Sequence, residues 1–173
     1  MPLPAARNIV LIGMRCSGKT SLGRALAARL CLPFADLDEW LAQRTGRSAD
    51  EFLMGAGEAE FRRQEAYVLH AAAQLRGHVI ATGGGAILHA QAFAALAGTG
   101  RVVYLQAPAA ELARRAVGRP RPPLTSLPAP EEVQKLLSER DPAYRAAAEF
   151  TIPVDRTDPI LDLLAVLGDP DRP

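Results

Sequence analysis

Short apolar runs recur along the chain, and most of them are closed by glycine or an acidic residue. Continuous runs of this length are typical of strands that are buried on both faces of a parallel sheet. The pattern predicts five such strands, at residues 8–12, 32–36, 78–81, 101–105 and 150–154. The last contains Pro153, which favours an edge strand or a strand end because proline donates no hydrogen bond to a sheet.

Segments with helical spacing of apolar residues lie between these runs. The predicted helices span about 21–31, 58–75, 86–97, 108–117, 131–148 and 159–167, and Pro142 is expected to interrupt the fifth. A further helical region follows Ser48, with Glu51 at the spacing of a capping box, and Gly55 and Gly57 are expected to interrupt it. Strands alternating with helices predict an α/β fold, in which helices cover both faces of a parallel sheet. Such sheets bind ligands beyond the carboxyl ends of their strands.

Composition and charge narrow the class of protein. Of 173 residues, 49% are hydrophobic and 23% charged, values typical of one soluble globular domain. A net charge of +1 provides no field that would attract nucleic acid or a membrane surface, so we expect neither as a partner. Two cysteines favour free thiols in a reducing cytoplasm, and we see no signal peptide. Because eighteen of the twenty basic residues are arginines, a single arginine is weak support for a function.

The segment from Gly13 to Thr20 reads G-x-x-x-x-G-K-T, the pattern of a phosphate-binding loop. Its glycines allow the backbone to approach phosphate closely, and its amides form a concave set of donors. Lys19 adds a positive charge, and the Thr20 hydroxyl is suited to Mg²⁺. A predicted strand precedes the loop and a predicted helix follows it, so bound phosphate would lie at a helix N-terminus. A chance match in a glycine-rich turn is the alternative, and this context argues against it.

Two pairs of charged residues are candidates for catalysis or substrate binding beside the phosphate-binding loop. Asp36 and Asp38 are two residues apart, which in an extended chain puts both carboxylates on one side, where they suit Mg²⁺ and a general base. A helix N-cap followed by a first-turn acid explains them equally well. Arg62 and Glu65 can pair on one helix face and so prepare Arg62 for a substrate carboxylate. For these two alone, an ordinary surface ion pair is the favoured interpretation.

Two glycine- or proline-rich segments follow. Residues 82–85 read T-G-G-G, and three glycines at a strand end carry a large entropic cost, which indicates that a ligand approaches the backbone. Residues 118–130 contain five prolines and cannot lie inside a helix, so we predict a lid. Its Arg119 and Arg121 could deliver a cation to a transferred phosphoryl group, and a solvated loop is the alternative. No role is assigned to the histidines, which lack metal-ligand spacing: His70, His78 and His89.

Six motifs, taken together and in order, resemble those of the shikimate kinase family over nearly the whole chain. They are the phosphate-binding loop, D-x-D at 36–38, F-R-x-x-E at 61–65, T-G-G-G at 82–85, R-P-x-L at 121–124 and R-x-x-x-Y at 140–144. The resemblance implies a three-layer α/β/α P-loop fold with a five-stranded parallel sheet of order 2-3-1-4-5 and a mobile lid. It implies transfer of the γ-phosphoryl group of ATP to the 3-hydroxyl of shikimate, in aromatic amino-acid biosynthesis. One domain would cover residues 1–173, with its lid at about 118–130.

The resemblance also assigns roles to matching residues. Lys19 contacts the β- and γ-phosphates, Asp38 is the base or orienter of the attacking hydroxyl, and Arg121 reaches the phosphates from the lid. Thr20 and, through water, Asp36 hold Mg²⁺. The residues that bind shikimate are Asp38, Arg62, Gly83, Gly84, Gly85 and Arg140. The residues that bind ATP are Gly13, Arg15, Cys16, Ser17, Gly18, Lys19, Thr20, Ser21, Arg115, Arg121 and Arg156. Among these, Arg115 stacks on adenine, whereas Arg15 and Cys16 are loop members to which no specific role is assigned.

The lid departs from the family pattern at two places. Pro123 stands where leucine is often found, and Arg119 competes with Arg121 for one role; Arg121 is preferred because Leu124 and Thr125 follow it at the right offset. The nearest rival functions are a gluconate-type kinase and a nucleoside monophosphate kinase, and F-R-x-x-E with T-G-G-G argues against both. The rival from another class is a non-catalytic ATP-binding module of the same fold. No apolar stripe demands an interface, so we expect a monomer.

Overall fold

The computed structural model describes residues 7–117, 122–155 and 158–167. Its strands are β1 Asn8–Ile12, β2 Phe34–Asp36, β3 Val79–Ala81, β4 Gly100–Gln106 and β5 Phe150–Pro153. Neighbouring strands are all parallel, and their order across the sheet is β2-β3-β1-β4-β5. The five predicted strands and the implied order are therefore confirmed. Because β1 is the central strand, the loop that follows it opens onto the middle of the sheet's carboxyl edge.

Most helices begin and end close to the predicted positions, but the helix over residues 37–45 was implied only by the capping interpretation of Asp36 and Asp38. In the described parts of the chain they are α1 Lys19–Leu30, α2 Leu37–Thr45, α3 Ala49–Ala56, α4 Glu58–Ala72, α5 Ala90–Ala97, α6 Ala109–Val117, α7 Ala129–Ala147 and α8 Pro159–Leu167. Ser48 caps α3 in a capping box with Glu51, as predicted. Of the two glycines expected to interrupt this region, Gly57 separates α3 from α4 with a φ of 84°, whereas Gly55 lies inside α3. None of these helices has the length and apolar character needed to cross a bilayer.

The core forms on both faces of the sheet. Every residue of β1 is buried, which explains why its apolar run is continuous rather than alternating. Helix α1 lies unusually close to the sheet at Gly23, where a Cβ would come within 2.6 Å of the Phe34 ring and 3.0 Å of the Leu11 side chain. This close packing fixes the start of α1, and with it the preceding loop, against the sheet.

The prediction of one helix over residues 86–97 was wrong. Residues Ala86–Leu88 form a 3₁₀ turn, and α5 begins only at Ala90. His89 separates them, because its ψ of 73° takes the backbone out of the helical path. The carbonyl of His89 then accepts the first hydrogen bond of α5, from the Phe93 N–H at 2.7 Å. A turn therefore joins the triple glycine to α5.

The predicted interruption at Pro142 was also wrong, because α7 continues through this residue. Proline removes the hydrogen bond to the carbonyl four residues earlier, which belongs to Ser138. Both residues are exposed, so water can bind that carbonyl and the lost bond costs little. On the opposite side, the helix is held by buried residues that include Leu136 and Tyr144.

Candidate active site

The phosphate-binding loop connects β1 to α1, in the strand–loop–helix context that the sequence predicted. Gly13 has a φ of 142°, and a Cβ on it would lie 2.7 Å from the Leu105 carbonyl oxygen, so only glycine fits. Gly18 is the N-cap of α1 with a φ of 95°. Cys16 adopts a φ of 67° despite its side chain. Non-glycine residues in this conformation cluster at ligand-binding sites, so the strain at Cys16 agrees with a functional loop.

Lys19 is the first residue of α1 and is 8% exposed. Its ammonium group donates to the carbonyl oxygens of Gly13 at 2.9 Å and Met14 at 2.8 Å. A lysine is seldom buried to this extent unless its charge is compensated. The fold therefore holds a cation inside the loop at a helix N-terminus, where anionic oxygens are favoured.

Asp36 lies at the carboxyl end of β2, beside the loop. Its Oδ2 accepts a hydrogen bond from the Thr20 hydroxyl at 2.6 Å, and its Oδ1 accepts one from the Asp38 N–H at 3.0 Å. Asp36 is thus the N-cap of α2, and Asp38 lies in the first turn of that helix. The extended-chain argument for this pair was wrong because the strand ends at Asp36, and the capping interpretation is confirmed. Capping is compatible with metal binding, because Asp36 caps the helix with Oδ1 and its Oδ2 meets the Thr20 hydroxyl.

The triple glycine follows β3 and is packed against side chains of the candidate site. A Cβ on Gly83 would lie 2.8 Å from Glu65 Oε1 and 3.0 Å from Asp38 Oδ1. A Cβ on Gly85 would lie 2.2 Å from Arg62 Nη1. The glycines predicted that a ligand approaches the backbone closely here. In the structure, the groups that approach it are protein side chains: Asp38 of α2, and Arg62 and Glu65 of α4.

Helix α4 carries Arg62 and Glu65 into this region as an ion pair, with Arg62 Nη1 2.7 Å from Glu65 Oε2. Their side chains are only 21% and 9% exposed, so the interpretation as an ordinary surface pair was wrong. The same Oε2 atom also lies 2.7 Å from Nε2 of His89. Sequence reasoning gave His89 no role, and no local signal could have found it, because its partner is 24 residues away.

Helix α7 contributes Arg140 and Tyr144, one helical turn apart. Both donate to the Gly84 carbonyl oxygen, Arg140 Nη1 at 3.2 Å and the Tyr144 hydroxyl at 2.6 Å. The Tyr144 ring stacks on Tyr104 with 5.0 Å between centroids. Burial raises the pKa of Tyr144 to about 12, so its hydroxyl remains a donor at neutral pH. The R-x-x-x-Y motif thus holds the triple glycine through the Gly84 carbonyl.

Glu132, in the first turn of α7, links the lid to the phosphate-binding loop. Its Oε1 forms an ion pair with Arg15, and its Oε2 accepts the backbone N–H groups of Leu124 and Thr125 at 2.8 Å each. Arg15 also donates to the Pro122 carbonyl at 3.2 Å. The Glu132 side chain is 2% exposed, and no sequence motif indicated this role. The link gives Arg15 a structural function in addition to its predicted contact with ATP.

A cavity at the carboxyl edge of the sheet gathers residues from all six of the predicted motifs, with Leu124 contributed by R-P-x-L. Its lining includes Arg15, Asp38, Arg62, Gly84, Gly85 and Arg140. Three guanidinium groups and the carboxylates of Asp38, Asp50 and Glu65 surround a small space, a set that suits a small molecule bearing a carboxylate and hydroxyl groups. Arg119, Arg121 and Arg156 lie outside the described residues.

A second cavity borders the other side of the phosphate-binding loop. It is lined by Cys16, Gly18, Ser21, Leu22, Arg115, Val154 and Pro159. The Arg115 guanidinium donates to the carbonyl oxygens of Ser17 at 3.3 Å and Val154 at 3.4 Å, and to Glu111 at 2.7 Å. Hydrogen bonds from Arg114 and Arg115 lower the pKa of Glu111 to about 2, which keeps that partner charged. Arg115 thus lies in a partly apolar cavity next to the loop, as a contact with adenine requires.

Comparison with known proteins agrees with this geometry. A family model described as shikimate kinase matches residues 15–167. The chain belongs to the shikimate kinase family. A shikimate kinase of Symbiobacterium thermophilum is 43% identical over 152 residues, which cover 86% of this chain and 87% of the relative. The solved structure of shikimate kinase from Acinetobacter baumannii in complex with shikimate has a TM-score of 0.85 and 33% identity, and covers 96% of each chain.

The rival family is more distant. A gluconokinase structure from Sinorhizobium meliloti has a TM-score of 0.59 and 18% identity over 95% of this chain and 93% of that chain, which shows a shared fold alone. The predicted membership of the shikimate kinase family is confirmed. The predicted enzyme class, a kinase that uses ATP as its phosphoryl donor, follows from that membership.

Proposed function

We propose that the chain is a shikimate kinase, which transfers the γ-phosphoryl group of ATP to the 3-hydroxyl of shikimate and gives shikimate 3-phosphate and ADP. The main support is that the phosphate-binding loop with Lys19 adjoins a cavity lined by Asp38, Arg62 and Arg140. The reaction needs a cation for the transferred phosphoryl group, a carboxylate for the attacking hydroxyl and guanidinium groups for the acceptor's carboxylate. Lys19 supplies the first beside the cavity, and Asp38, Arg62 and Arg140 supply the other two within it.

The acceptor side of the site recognises shikimate through its carboxylate and hydroxyl groups. Arg62 and Arg140 bind the carboxylate, because a planar guanidinium group matches two carboxylate oxygens. Both are pre-oriented, Arg62 by Glu65 and Arg140 by the Gly84 carbonyl. Gly84 and Gly85 line the same pocket, and backbone amides at Gly83, Gly84 and Gly85 complete the proposed shikimate contacts. Asp38 then orients the 3-hydroxyl or accepts its proton as the oxygen attacks.

The donor side binds ATP along the phosphate-binding loop. Lys19 stabilises negative charge on the β- and γ-phosphates as the phosphoryl group moves, which is where most of the catalytic effect in phosphoryl transfer arises. Arg121 adds a second cation from the lid, and Arg115 and Arg156 contact the adenine side. The remaining ATP contacts are with the loop and the start of α1, at Gly13, Arg15, Cys16, Ser17, Gly18, Thr20 and Ser21.

The proposal includes a magnesium ion held by Thr20 and Asp36. Their hydroxyl and carboxylate oxygens are 2.6 Å apart and are the hard donors that Mg²⁺ prefers. Among the described residues, no group of three histidine, cysteine or acidic side chains could hold a metal. This agrees with a cation that takes most of its ligands from phosphate and water. When bound, the ion neutralises charge on the phosphates.

The lid completes the proposed site by excluding water, which would otherwise compete with the hydroxyl for the phosphoryl group. Glu132 holds the described end of the lid beside Arg15 of the phosphate-binding loop. We further propose that a single domain spans residues 1–173, with its lid at about 118–130, and acts as a cytoplasmic monomer. Its partner is a small molecule and neither nucleic acid nor a membrane, since the net charge is +1.

Release of ADP, measured by a coupled assay with ATP and Mg²⁺, tests this function. We expect turnover with shikimate and none with gluconate or AMP. Turnover with another acceptor would keep the kinase and overturn the assignment of Arg62 and Arg140. ATP binding without turnover on any of the three acceptors would favour a non-catalytic module.

The chain offers a matched control because it has only two lysines. Lys19→Ala should abolish turnover without unfolding the domain, whereas Lys135→Ala should leave it unchanged, since the Lys135 side chain is 51% exposed and distant from the loop in sequence. Substantial turnover in the Lys19→Ala variant would contradict the role of Lys19 as the phosphate-binding cation.

A further inference from the structure

His89 lies behind the acceptor pocket, in contact with the ion pair that holds Arg62. We infer that His89 is a positioning residue for the acceptor: it holds the Glu65 carboxylate so that the Arg62 guanidinium keeps one edge available for the carboxylate of the acceptor. The inference rests on the proposed function, in which Arg62 binds that carboxylate. It adds a residue that belongs to none of the six sequence motifs.

Two donors share one oxygen of Glu65. Arg62 Nη1 and His89 Nε2 each lie 2.7 Å from Oε2. The other oxygen, Oε1, is directed toward the triple glycine, where it lies 2.8 Å from the position that a Cβ on Gly83 would occupy. Both donors therefore act on the same oxygen, and Arg62 contacts Glu65 through Nη1 only. Its Nη2 lies 3.5 Å from Oε1 of Glu58, whose side chain is 74% exposed, so this second pair is weak.

Charge and burial explain why the second donor matters. The side chains of Glu65 and His89 are 9% and 13% exposed, so the negative charge needs donors from the protein. Without the imidazole, the most favourable partner left for the carboxylate is Arg62 itself, in a bidentate pair. Such a pair would turn a second guanidinium N–H toward Glu65 and withdraw it from the acceptor. His89 opposes this by holding Oε2, which keeps the carboxylate from turning both oxygens toward Arg62.

The backbone holds His89 in place for this contact. Its N–H donates to the Ala86 carbonyl at 3.1 Å, and its own carbonyl accepts the Phe93 N–H at 2.7 Å. The residue thus joins the 3₁₀ turn to α5, directly after the triple glycine. The turn that shapes the acceptor pocket therefore also fixes the imidazole against α4.

A histidine donates from Nε2 to a carboxylate when it is protonated and also when it is neutral with its proton on Nε2, so the contact does not require a charged imidazole. This makes a glutamine substitution informative, because its side-chain amide can donate from a similar place and cannot titrate. An alanine substitution removes the donor. His70, an exposed histidine on α4 itself, provides the matched control.

The experiment compares His89→Ala, His89→Gln and His70→Ala with the wild-type enzyme, using ATP, Mg²⁺ and shikimate. We expect His89→Ala to raise KM for shikimate by about threefold to tenfold, while KM for ATP and kcat change by less than about twofold, because a hydrogen bond to a charged group is lost away from the phosphates. His89→Gln should recover most of the loss, and His70→Ala should match the wild type.

Two results would overturn the inference. One is an unchanged KM for shikimate in His89→Ala; the other is a parallel change in both KM values, kcat and Tm, which would mean a structural role only. Calorimetric titration with shikimate gives a readout independent of turnover, and the same weakening is expected there. If the wild type neither binds nor phosphorylates shikimate, the proposed function fails and the inference fails with it. If the wild type is active and His89→Ala is indistinguishable from it, the inference alone fails.

Discussion

Replacing Glu132 with glutamine is predicted to loosen the lid. One carboxylate oxygen accepts the N–H groups of Leu124 and Thr125 at 2.8 Å each and the Thr125 hydroxyl at 3.1 Å, and the other is paired with Arg15. Glutamine keeps the shape but converts one of the two acceptors into a donor. Whichever way the amide turns, either the guanidinium group or the lid amides then face an N–H₂ group.

The size of the effect follows from the burial of this group. The Glu132 side chain is 2% exposed, so water cannot easily replace a lost partner in the closed arrangement. A hydrogen bond to a charged group contributes about 1.5–3 kcal/mol. Local opening of the lid next to Glu132 should therefore become easier by about 2 kcal/mol, which is roughly thirtyfold in the opening equilibrium.

Amide hydrogen exchange at Leu124 and Thr125 measures this opening directly. We expect exchange at both amides to be about thirtyfold faster in the Glu132→Gln variant. Glu131→Gln changes an exposed glutamate in the same helical turn and should leave exchange as in the wild type. Equal exchange rates in the two variants would refute the reasoning, because they would show that the buried carboxylate does not hold the lid.

Three further predictions concern the acceptor pocket. Arg62→Ala should raise KM for shikimate at least tenfold and spare ATP binding. Arg63→Ala, which removes a side chain that is 74% exposed, should change neither. Equal weakening of shikimate binding and ATP binding in Arg62→Ala would contradict the assignment. Gly85→Ala should also raise KM for shikimate, by about tenfold, because the added Cβ would lie 2.2 Å from Arg62 Nη1. The backbone itself, with a φ of −94°, accepts alanine. An unchanged KM would count against the contact with Arg62. Burial raises the pKa of Tyr144 from 10.0 to about 12, so the contribution of this residue to stability is complete below pH 10 and is lost between pH 10 and 12. The measurement is the difference in tyrosinate absorbance between wild type and Tyr144→Phe, and a difference that appears below pH 10 would be inconsistent with the raised pKa.

The parts of the fold that the sequence predicted have local causes. The phosphate-binding loop is defined by eight consecutive residues, and β1 by an unbroken apolar run that reflects burial on both faces. The capping box at Ser48 is equally local. At Asp36, two local interpretations competed, and the structure shows that the carboxylate caps α2 and meets the Thr20 hydroxyl at the same time.

The parts that the sequence did not predict depend on residues that are far apart in the chain. The ion pair between Arg15 and Glu132 joins residues 117 positions apart, and His89 meets Glu65 only because a turn follows the triple glycine. The surface interpretation of Arg62 failed for the same reason, since the burial of an ion pair depends on the helices around it. Continuation of α7 through Pro142 depends on which face of the helix is exposed, and this too is set by tertiary packing.

The central claim is that the acceptor is shikimate and that its 3-hydroxyl attacks the γ-phosphoryl group. Phosphorus and proton NMR of the product formed from ATP, Mg²⁺ and shikimate tests this most directly, because it identifies the oxygen that carries the new phosphate. We expect shikimate 3-phosphate and ADP in equal amounts. Phosphate on a different hydroxyl would contradict the orientation given by Asp38, Arg62 and Arg140, and ADP with free inorganic phosphate would contradict transfer to an acceptor.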